Sequence, residues 1–168
     1  MPAAAQFRIR LAKEDFKFSA AHFTLFPGGR AELLHGHNYR VRLELAGSAL
    51  SDVGLLVDVS GVKAAIRRRC SELDERTLIP AETDRLEISR SDGLVDVRFG
   101  GRAYRFPEDD VVLLPLVNVS IELLARLLWG DIVPSVEDAP VEELAVEVEE
   151  TPGQSCVYRA RLGGTRAP

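Results

Sequence analysis

One alternating stretch constrains the fold of this chain more than any other feature. Every second residue from position 35 to position 45 is an imidazole or an aromatic or apolar side chain, namely His35, His37, Tyr39, Val41, Leu43 and Leu45. The residues between them include Asn38, Arg40, Arg42 and Glu44. Because successive side chains of a β-strand point to opposite faces, the pattern predicts a strand with one buried and one solvated face. Such strands are typical of antiparallel sheets with helices on one side.

The other segments predict two helices and more strands. The first helix begins at Asp58 or Ser60 and has an apolar stripe at helical spacing, formed by Val59, Val62, Ile66, Cys70 and Leu73. A second helix runs from about Ser120 to Trp129. Alternation predicts strands at 7–11, 16–22, 144–150 and 156–162, and a small meander at 84–106. We therefore expect a single α+β domain over residues 1–168, with two helices on one face of an antiparallel sheet.

Composition excludes several classes of protein. The chain has 21 Lys and Arg against 26 Asp and Glu, a formal net charge of -5, which disfavours a main role in nucleic-acid binding. No apolar run approaches the roughly 18 residues of a membrane span, and residues 1–7 do not form a signal peptide pattern. The two cysteines, Cys70 and Cys156, form no disulfide framework and are expected to be buried thiols, which fits a cytoplasmic protein.

All three histidines of the chain lie close together in sequence, as His22, His35 and His37. The last two share one strand face, and His22 ends another predicted strand on its apolar face. If these two strands pair, three imidazoles converge, and three imidazoles with an open fourth position are typical of catalytic zinc. The alternative is three separate, hydrogen-bonded core histidines. Their clustering on inward faces favours a metal.

Several motifs resemble the 6-pyruvoyl-tetrahydropterin synthase family, which includes the 6-carboxy-tetrahydropterin synthases of the queuosine pathway. The motifs are Phe18-Ser19-Ala20-Ala21-His22, Leu34-His35-Gly36-His37-Asn38-Tyr39, Gly54-Leu55-Leu56-Val57-Asp58, Leu73-Asp74, Ser120-Ile121-Glu122 and Glu150-Thr151. The resemblance covers nearly the whole chain except residues 79–115, which we interpret as an insertion.

The resemblance implies a tunnelling fold (T-fold). It also implies homo-oligomers, either trimers formed by edge-to-edge strand pairing or dimers of trimers, with sites at subunit interfaces. The three histidines would be the ligands of Zn²⁺, and a dihydropterin would be the substrate.

Four residues would bind that substrate according to the resemblance: Glu150, Thr151, Ser120 and Glu122. Among them, Glu150 would anchor the pterin, because a carboxylate can accept two parallel hydrogen bonds from the amino and ring N–H groups. The alternative for Glu150 is a solvated strand end in the acidic run 147–150.

The chain departs from the family at the usual catalytic cysteine. The position four residues before His35 is Ala31, which offers neither nucleophile nor base. The neighbouring Glu32 resembles a variant branch in which glutamate replaces the cysteine, and we expect Glu32 to be the general base. The alternative is a solvated loop residue.

A second departure concerns the Leu-Asp-His motif of the family, which here reads Leu73-Asp74-Glu75. No histidine remains to shuttle protons, so Asp74 and Glu75 would act as a carboxylate pair if they lie close together. Alternatively, Glu32 acts alone and Glu75 is a surface residue that pairs with Arg76.

The resemblance to this variant branch implies a zinc-dependent lyase. It would cleave the side chain of 7,8-dihydroneopterin, or of its triphosphate, to 6-hydroxymethyl-7,8-dihydropterin for a folate-type cofactor. Arg30 and the run Arg67-Arg68-Arg69 are candidate contacts for a triphosphate. The alternatives are 6-carboxy-tetrahydropterin synthase, 6-pyruvoyl-tetrahydropterin synthase, an enzyme of a methanopterin-like pathway, and a non-catalytic zinc- and pterin-binding paralogue.

Overall fold

A computed structural model describes residues 6–163, so the expectations for residues 1–5 and 164–168 lie outside the described part. The strands are β1 (Phe7–Leu11), β2 (Lys17–His22), β3 (Leu25–Phe26), β4 (Arg30–Ala31), β5 (His35–Gly47), β6 (Arg76–Pro80), β7 (Glu87–Ser91), β8 (Leu94–Phe99), β9 (Arg102–Pro107), β10 (Val111–Leu114), β11 (Glu143–Thr151) and β12 (Gln154–Arg161). The helices are α1 (Val59–Leu73) and α2 (Ile121–Ile132), with short 3₁₀ turns at Glu108–Asp110 and Val133–Val136.

The 13-residue strand β5 organises the main sheet. Seven strands form this sheet in the order β10-β6-β2-β5-β11-β12, and β1 also pairs with β5. Both β1 and β2 run antiparallel to β5, as does β11 on its other side. These pairings confirm the antiparallel sheet predicted from the alternation.

Two pairings were not predicted, because β6 pairs parallel to β2 and β10 pairs parallel to β6. The four residues Thr77–Pro80 of β6 are all buried, so this strand has no alternating pattern. A short apolar run of that kind is typical of a strand covered on both faces, and it gives no sign of its direction or partner.

Both helices pack on one face of the main sheet, as predicted. The core combines the inward side chains of β5 with helix residues such as Val62 and Ile66 of α1 and Leu124 and Leu128 of α2. Asp58 caps α1, since its carboxylate accepts a hydrogen bond from the Ser60 amide at 2.9 Å. Within the described residues, neither helix is long and apolar enough to cross a membrane.

The predicted meander forms a separate sheet of three strands in the order β7-β8-β9. Its first turn has positive φ angles at Asp92 (52°) and Gly93 (75°), as a tight hairpin turn requires. Its apolar residues form a second core cluster with Phe23, Leu25 and Ile79. The ends of segment 79–115 lie in the main sheet, in β6 and β10. That the segment is an insertion stays a prediction.

Two glycines predict opposite effects of alanine on stability. Gly61 lies in α1 with nothing near an added Cβ, so Gly61→Ala should raise the free energy of unfolding by about 0.5–1 kcal/mol through helix propensity.

At Gly47 an added Cβ would overlap the Pro140 carbonyl oxygen and approach Leu56 Cδ1 to 2.8 Å, so Gly47→Ala should lower the free energy of unfolding. Urea unfolding measures both variants. A stable Gly47→Ala protein would contradict the packing described here.

Candidate active site

Strand register brings the three histidines together. His22 of β2 lies directly opposite His35 of β5, and His37 follows on the same face of β5. The ring centroid of His22 is 4.8 Å from that of His35 and 5.3 Å from that of His37. The ring centroids of His35 and His37 are 4.7 Å apart. One ring nitrogen from each lies within 4.8 Å of the others, which is a spacing that could hold a metal ion.

Backbone carbonyls orient two of these imidazoles. His22 Nδ1 lies 3.2 Å from the Val119 carbonyl oxygen, and His35 Nδ1 lies 2.7 Å from that of Leu33. Because a carbonyl only accepts hydrogen bonds, we assign the proton of each ring to Nδ1. Each Nε2 then has a free lone pair, and such second contacts are typical of metal-ligating histidines.

His22 shows that the residues fit a metal. Its Nε2 is buried without a hydrogen-bond partner, which is costly unless a cation binds there. Burial, the largest influence, lowers the pKa of His22, so that the ring is held in its neutral, ligating form. Neutral imidazole nitrogens are the ligands of catalytic zinc sites.

The Glu150 carboxylate lies beside the histidines. Its Oε1 is 3.2 Å from His22 Nε2, 3.5 Å from His37 Nε2, and accepts a hydrogen bond from the Tyr39 hydroxyl at 3.2 Å. The other oxygen accepts a hydrogen bond from Gln154 Nε2 at 3.0 Å. His22 Nε2 and Glu150 Oε1 are both acceptors, so a cation or a proton between them would make their approach favourable. Glu150 is therefore not a solvated strand end.

Tyr39 is a site residue that sequence reasoning did not single out. Burial raises the pKa of its hydroxyl and the Glu150 carboxylate raises it further, so Tyr39 remains a protonated donor. The strand register would have indicated this role, because Tyr39 shares the face of His35 and His37 and lies near the end of β11. Without knowledge of the pairing of β5 and β11, the sequence pattern predicts only that Tyr39 is an aromatic residue of the core.

Glu32 follows a short hairpin formed by β3 and β4. Its carboxylate accepts a hydrogen bond from the Thr24 amide at 3.0 Å, and its own amide donates to the Thr24 carbonyl at 3.0 Å. Burial favours a raised pKa of Glu32, but the hydrogen bonds from Thr24 outweigh it and lower the pKa. Glu32 is therefore ionised at neutral pH, as a general base must be.

The cysteines do not replace the missing nucleophile. Cys70 is buried in the helix core, and burial raises the pKa of its thiol to about 12. Cys156 lies on β12 and is only partly buried, so the expectation that both thiols are buried was wrong for Cys156. Because β12 is the last strand of the sheet, its side chains have neighbours from another strand on one side only, and alternation there does not bury a face fully.

Asp74 and Glu75 lie at the end of α1, next to β2. The Asp74 carboxylate accepts a hydrogen bond from the Ser19 amide at 2.7 Å, and the Glu75 amide donates to the Ser19 carbonyl at 2.7 Å. Both line a cavity of about 590 Å³, and Glu75 also lines a smaller recess with His37. Among the described residues, the group able to hold a metal consists of the histidines without this pair.

The other candidate substrate residues have mixed positions. Ser120 caps α2, with its hydroxyl accepting a hydrogen bond from the Leu123 amide at 3.4 Å, and the preceding residue, Val119, contacts His22. Glu122 lies in the first turn of α2. Thr151 is half-buried at the end of β11, next to Glu150. Their roles in substrate binding stay predictions.

Comparison with known proteins identifies the class. The family model for 6-pyruvoyl tetrahydropterin synthase matches residues 10–161. The Bacillus subtilis 6-carboxy-5,6,7,8-tetrahydropterin synthase is 28% identical over 155 residues, covering 90% of this chain and 86% of the relative. The structure of Plasmodium vivax 6-pyruvoyl tetrahydropterin synthase is 27% identical with a TM-score of 0.87, covering 94% of this chain and 99% of the other.

A second structure of the Plasmodium vivax enzyme, in which a catalytic residue, a glutamate, is replaced by alanine, is 28% identical to this chain. It covers 94% of this chain and 99% of the other, with a TM-score of 0.84. The fold is therefore the T-fold of pterin synthases, as the motifs implied. The chain belongs to the 6-pyruvoyl tetrahydropterin synthase family.

We predict that the purified protein binds one zinc ion per chain through its three histidines. His35→Ala removes one imidazole from the group and should lower the zinc content, because two ligands hold the ion far less tightly. Inductively coupled plasma mass spectrometry measures zinc per chain. Glu14→Ala, at an exposed loop residue, is the matched control and should keep full zinc content. Full occupancy in His35→Ala would contradict the assignment.

Proposed function

We propose that this protein is a zinc-dependent lyase that cleaves the side chain of 7,8-dihydroneopterin, or of its triphosphate, to 6-hydroxymethyl-7,8-dihydropterin. One observation carries the proposal: the hydrogen bond from the Thr24 amide holds the Glu32 carboxylate in place and ionised, next to Ala31, which stands where the family has its cysteine. A carboxylate base suits side-chain cleavage, which requires no cysteine.

The substrate class follows from the family and from Glu150. In the proposed complex, the Glu150 carboxylate accepts hydrogen bonds from the 2-amino and ring N–H groups of the pterin. Tyr39 and Gln154 donate to the two oxygens of this carboxylate and orient it before substrate binds. The inward direction and partial burial of Glu150 support this role, because a buried carboxylate needs donors that match both oxygens. Thr151, Ser120 and Glu122 are proposed to complete the substrate site.

Zinc, held by His22, His35 and His37, would supply Lewis acidity that makes a side-chain hydroxyl easier to deprotonate. Glu32 takes the proton of the 2′-hydroxyl as general base. The C2′–O bond becomes a carbonyl, the C1′–C2′ bond breaks, and its electron pair moves into the C6=N5 imine of the pterin. C1′ then receives a proton, which Glu32 can return. The products are a two-carbon aldehyde, or its triphosphate, and 6-hydroxymethyl-7,8-dihydropterin.

The Plasmodium vivax relative supports a glutamate in this role, because the residue replaced in its variant structure is a catalytic glutamate. Glu32 is the glutamate of this chain next to the position of the missing cysteine. Its reciprocal hydrogen bonds with Thr24 limit the freedom of the carboxylate, which favours a defined geometry for proton transfer.

A second candidate is 6-carboxy-tetrahydropterin synthase, which is favoured by the Bacillus subtilis relative of that name. The lack of the family cysteine and of the Leu-Asp-His histidine speaks against this candidate. Product identity separates the two functions, and 6-pyruvoyl-tetrahydropterin synthase as well.

We further propose that the protein acts as a homo-oligomer, a trimer or a dimer of trimers, with sites shared between subunits. The terminal strands β10 and β12 of the main sheet each have one edge available for pairing within the described chain. Asp74 and Glu75 line a cavity outside the histidine group, a position that suits residues serving a neighbouring subunit. The free thiols of Cys70 and Cys156 fit the reducing cytoplasm, where we propose the protein acts.

The proposed reaction predicts a specific product and a loss of kcat when Glu32 is replaced. Zinc-loaded protein incubated with 7,8-dihydroneopterin, and separately with its triphosphate, should release 6-hydroxymethyl-7,8-dihydropterin, identified by mass spectrometry. Glu32→Gln keeps the shape of the side chain but removes the base, so kcat should fall by about 10²–10⁴-fold. Zinc content should not change.

Glu14→Gln is the matched control for this assay, because Glu14 is an exposed glutamate in the loop that precedes β2, and it should keep wild-type kcat. A 6-carboxy or 6-pyruvoyl product would replace the proposed reaction with the corresponding synthase. Pterin binding without turnover of either substrate would identify a non-catalytic binder.

If Glu150 anchors the pterin, its replacement should weaken pterin binding. Glu150→Gln replaces one acceptor oxygen by a donor, so the Kd of the unreactive oxidised ligand neopterin should rise by about 10–100-fold, as the loss of a charged hydrogen bond implies. Fluorescence titration measures the Kd. The control is Glu147→Gln on the same strand, where the carboxylate instead pairs with Arg42 at 2.9 Å. Equal affinities of wild-type and Glu150→Gln proteins would exclude the anchor.

A further inference from the structure

Glu32 sits on a segment that needs outside support. The strands β3 and β4 have two residues each, and the turn between them contains Gly28 and Gly29 with φ angles of 75° and 72°. An isolated two-stranded hairpin has little stability of its own in water. The reciprocal bonds between Glu32 and Thr24 hold the carboxylate to this hairpin. The Asn118 side chain bonds the Leu25 amide and carbonyl at 2.9 Å each, which ties the β3 side of the hairpin to the segment before α2.

Arg102, the first residue of β9, connects the meander to this segment. Its Nη1 donates a hydrogen bond to the Glu32 carbonyl oxygen at 2.5 Å and lies 3.4 Å from the Ala31 carbonyl oxygen. Arg102 is half-buried, so water competes less for its guanidinium. Hydrogen bonds from a charged donor are among the stronger ones in proteins. The contact is therefore made on the backbone of the proposed base itself.

Apolar packing adds a second connection between the same two segments. The ring of Phe23 stacks on Tyr104 of β9, with centroids 5.7 Å apart. Leu25 of β3 and Leu34, three residues after β4, belong to one cluster with Val95 and Val97 of β8. The meander thus packs against Phe23, Leu25 and Leu34, and Arg102 adds a polar contact on the β4 side of the hairpin, at the backbone of Glu32.

We propose that Arg102 is a positioning residue for Glu32, and that the meander serves to hold the proposed base against the histidine group. This inference rests on the proposed role of Glu32 as the base. In this role Arg102 contacts neither substrate nor metal. Its side chain acts through the backbone carbonyls of residues 31 and 32. The meander then has a function in catalysis rather than only in assembly.

Kinetics of three variants test the inference. Arg102→Ala should lower kcat by about 100-fold, the effect of a small misplacement of a catalytic group, while KM and zinc content stay near wild type. Arg102→Lys should recover part of kcat, because an ammonium can reach one of the two carbonyls. Arg98→Ala, at an exposed position of β8, is the matched control and should keep wild-type kcat. Wild-type kcat in Arg102→Ala would overturn the inference.

A double-mutant cycle separates positioning from general stability. If Arg102 acts through Glu32, Arg102→Ala should add no further loss of kcat in the Glu32→Gln background. A full additional loss there would show a structural role and overturn the inference. Wild-type kcat in Glu32→Gln alone would instead refute the proposed function, so the two failures are distinguishable.

Hydrogen exchange tests the contact without turnover. Amide exchange of a peptide covering residues 24–34 should be faster in Arg102→Ala than in wild type, and unchanged in Arg98→Ala. Peptides from α1 and β11 should exchange at wild-type rates in both variants. Unchanged exchange at residues 24–34 in Arg102→Ala would overturn the inference whichever reaction the protein catalyses.

Discussion

The antiparallel pairing of β2 with β5 is the constraint on which the candidate site depends. It places His22 directly opposite His35, and the alternation of β5 puts His37 on the same face. A register shift of one residue would turn every inward side chain of one strand to the other face. The apolar face of the sheet, which packs against the helices, fixes the register. Phe18, Tyr39 and Val41 are buried there, in the same core that positions the imidazoles. Fold stability and metal geometry thus have the same physical origin.

Within that frame, three polar contacts at the site join a side chain to the backbone. Carbonyls of Val119 and Leu33 orient two imidazoles, and the Thr24 amide binds the Glu32 carboxylate. Backbone groups are fixed by secondary structure, so they hold catalytic side chains with little loss of side-chain entropy. The contacts of Glu150 are instead made with side chains, and its Oε1 faces His22 Nε2, also an acceptor, at 3.2 Å. A bound cation would convert this unfavourable contact into a favourable one.

Much of the fold could be predicted from local pattern, since periods of two and of 3.6 residues follow from strand and helix geometry. The central strand, the two helices on one face and the meander all had such a signal. The parallel strands β6 and β10 had none, because β6 is buried without alternation. Likewise, the partial exposure of Cys156 depends on β12 being the last strand of the sheet, which no local pattern encodes.

For the site, the sequence by itself determined which residues are available: three clustered imidazoles, a glutamate beside Ala31, and no fourth histidine. Parity also determined that His35, His37 and Tyr39 share a face. Only the tertiary structure decided that Tyr39 and Gln154 hold Glu150, that Asp74 and Glu75 contact Ser19, and that Arg102 reaches the backbone of Glu32. These contacts join residues far apart in the chain, so they depend on strand register and on the packing of one sheet against another. A local pattern contains neither.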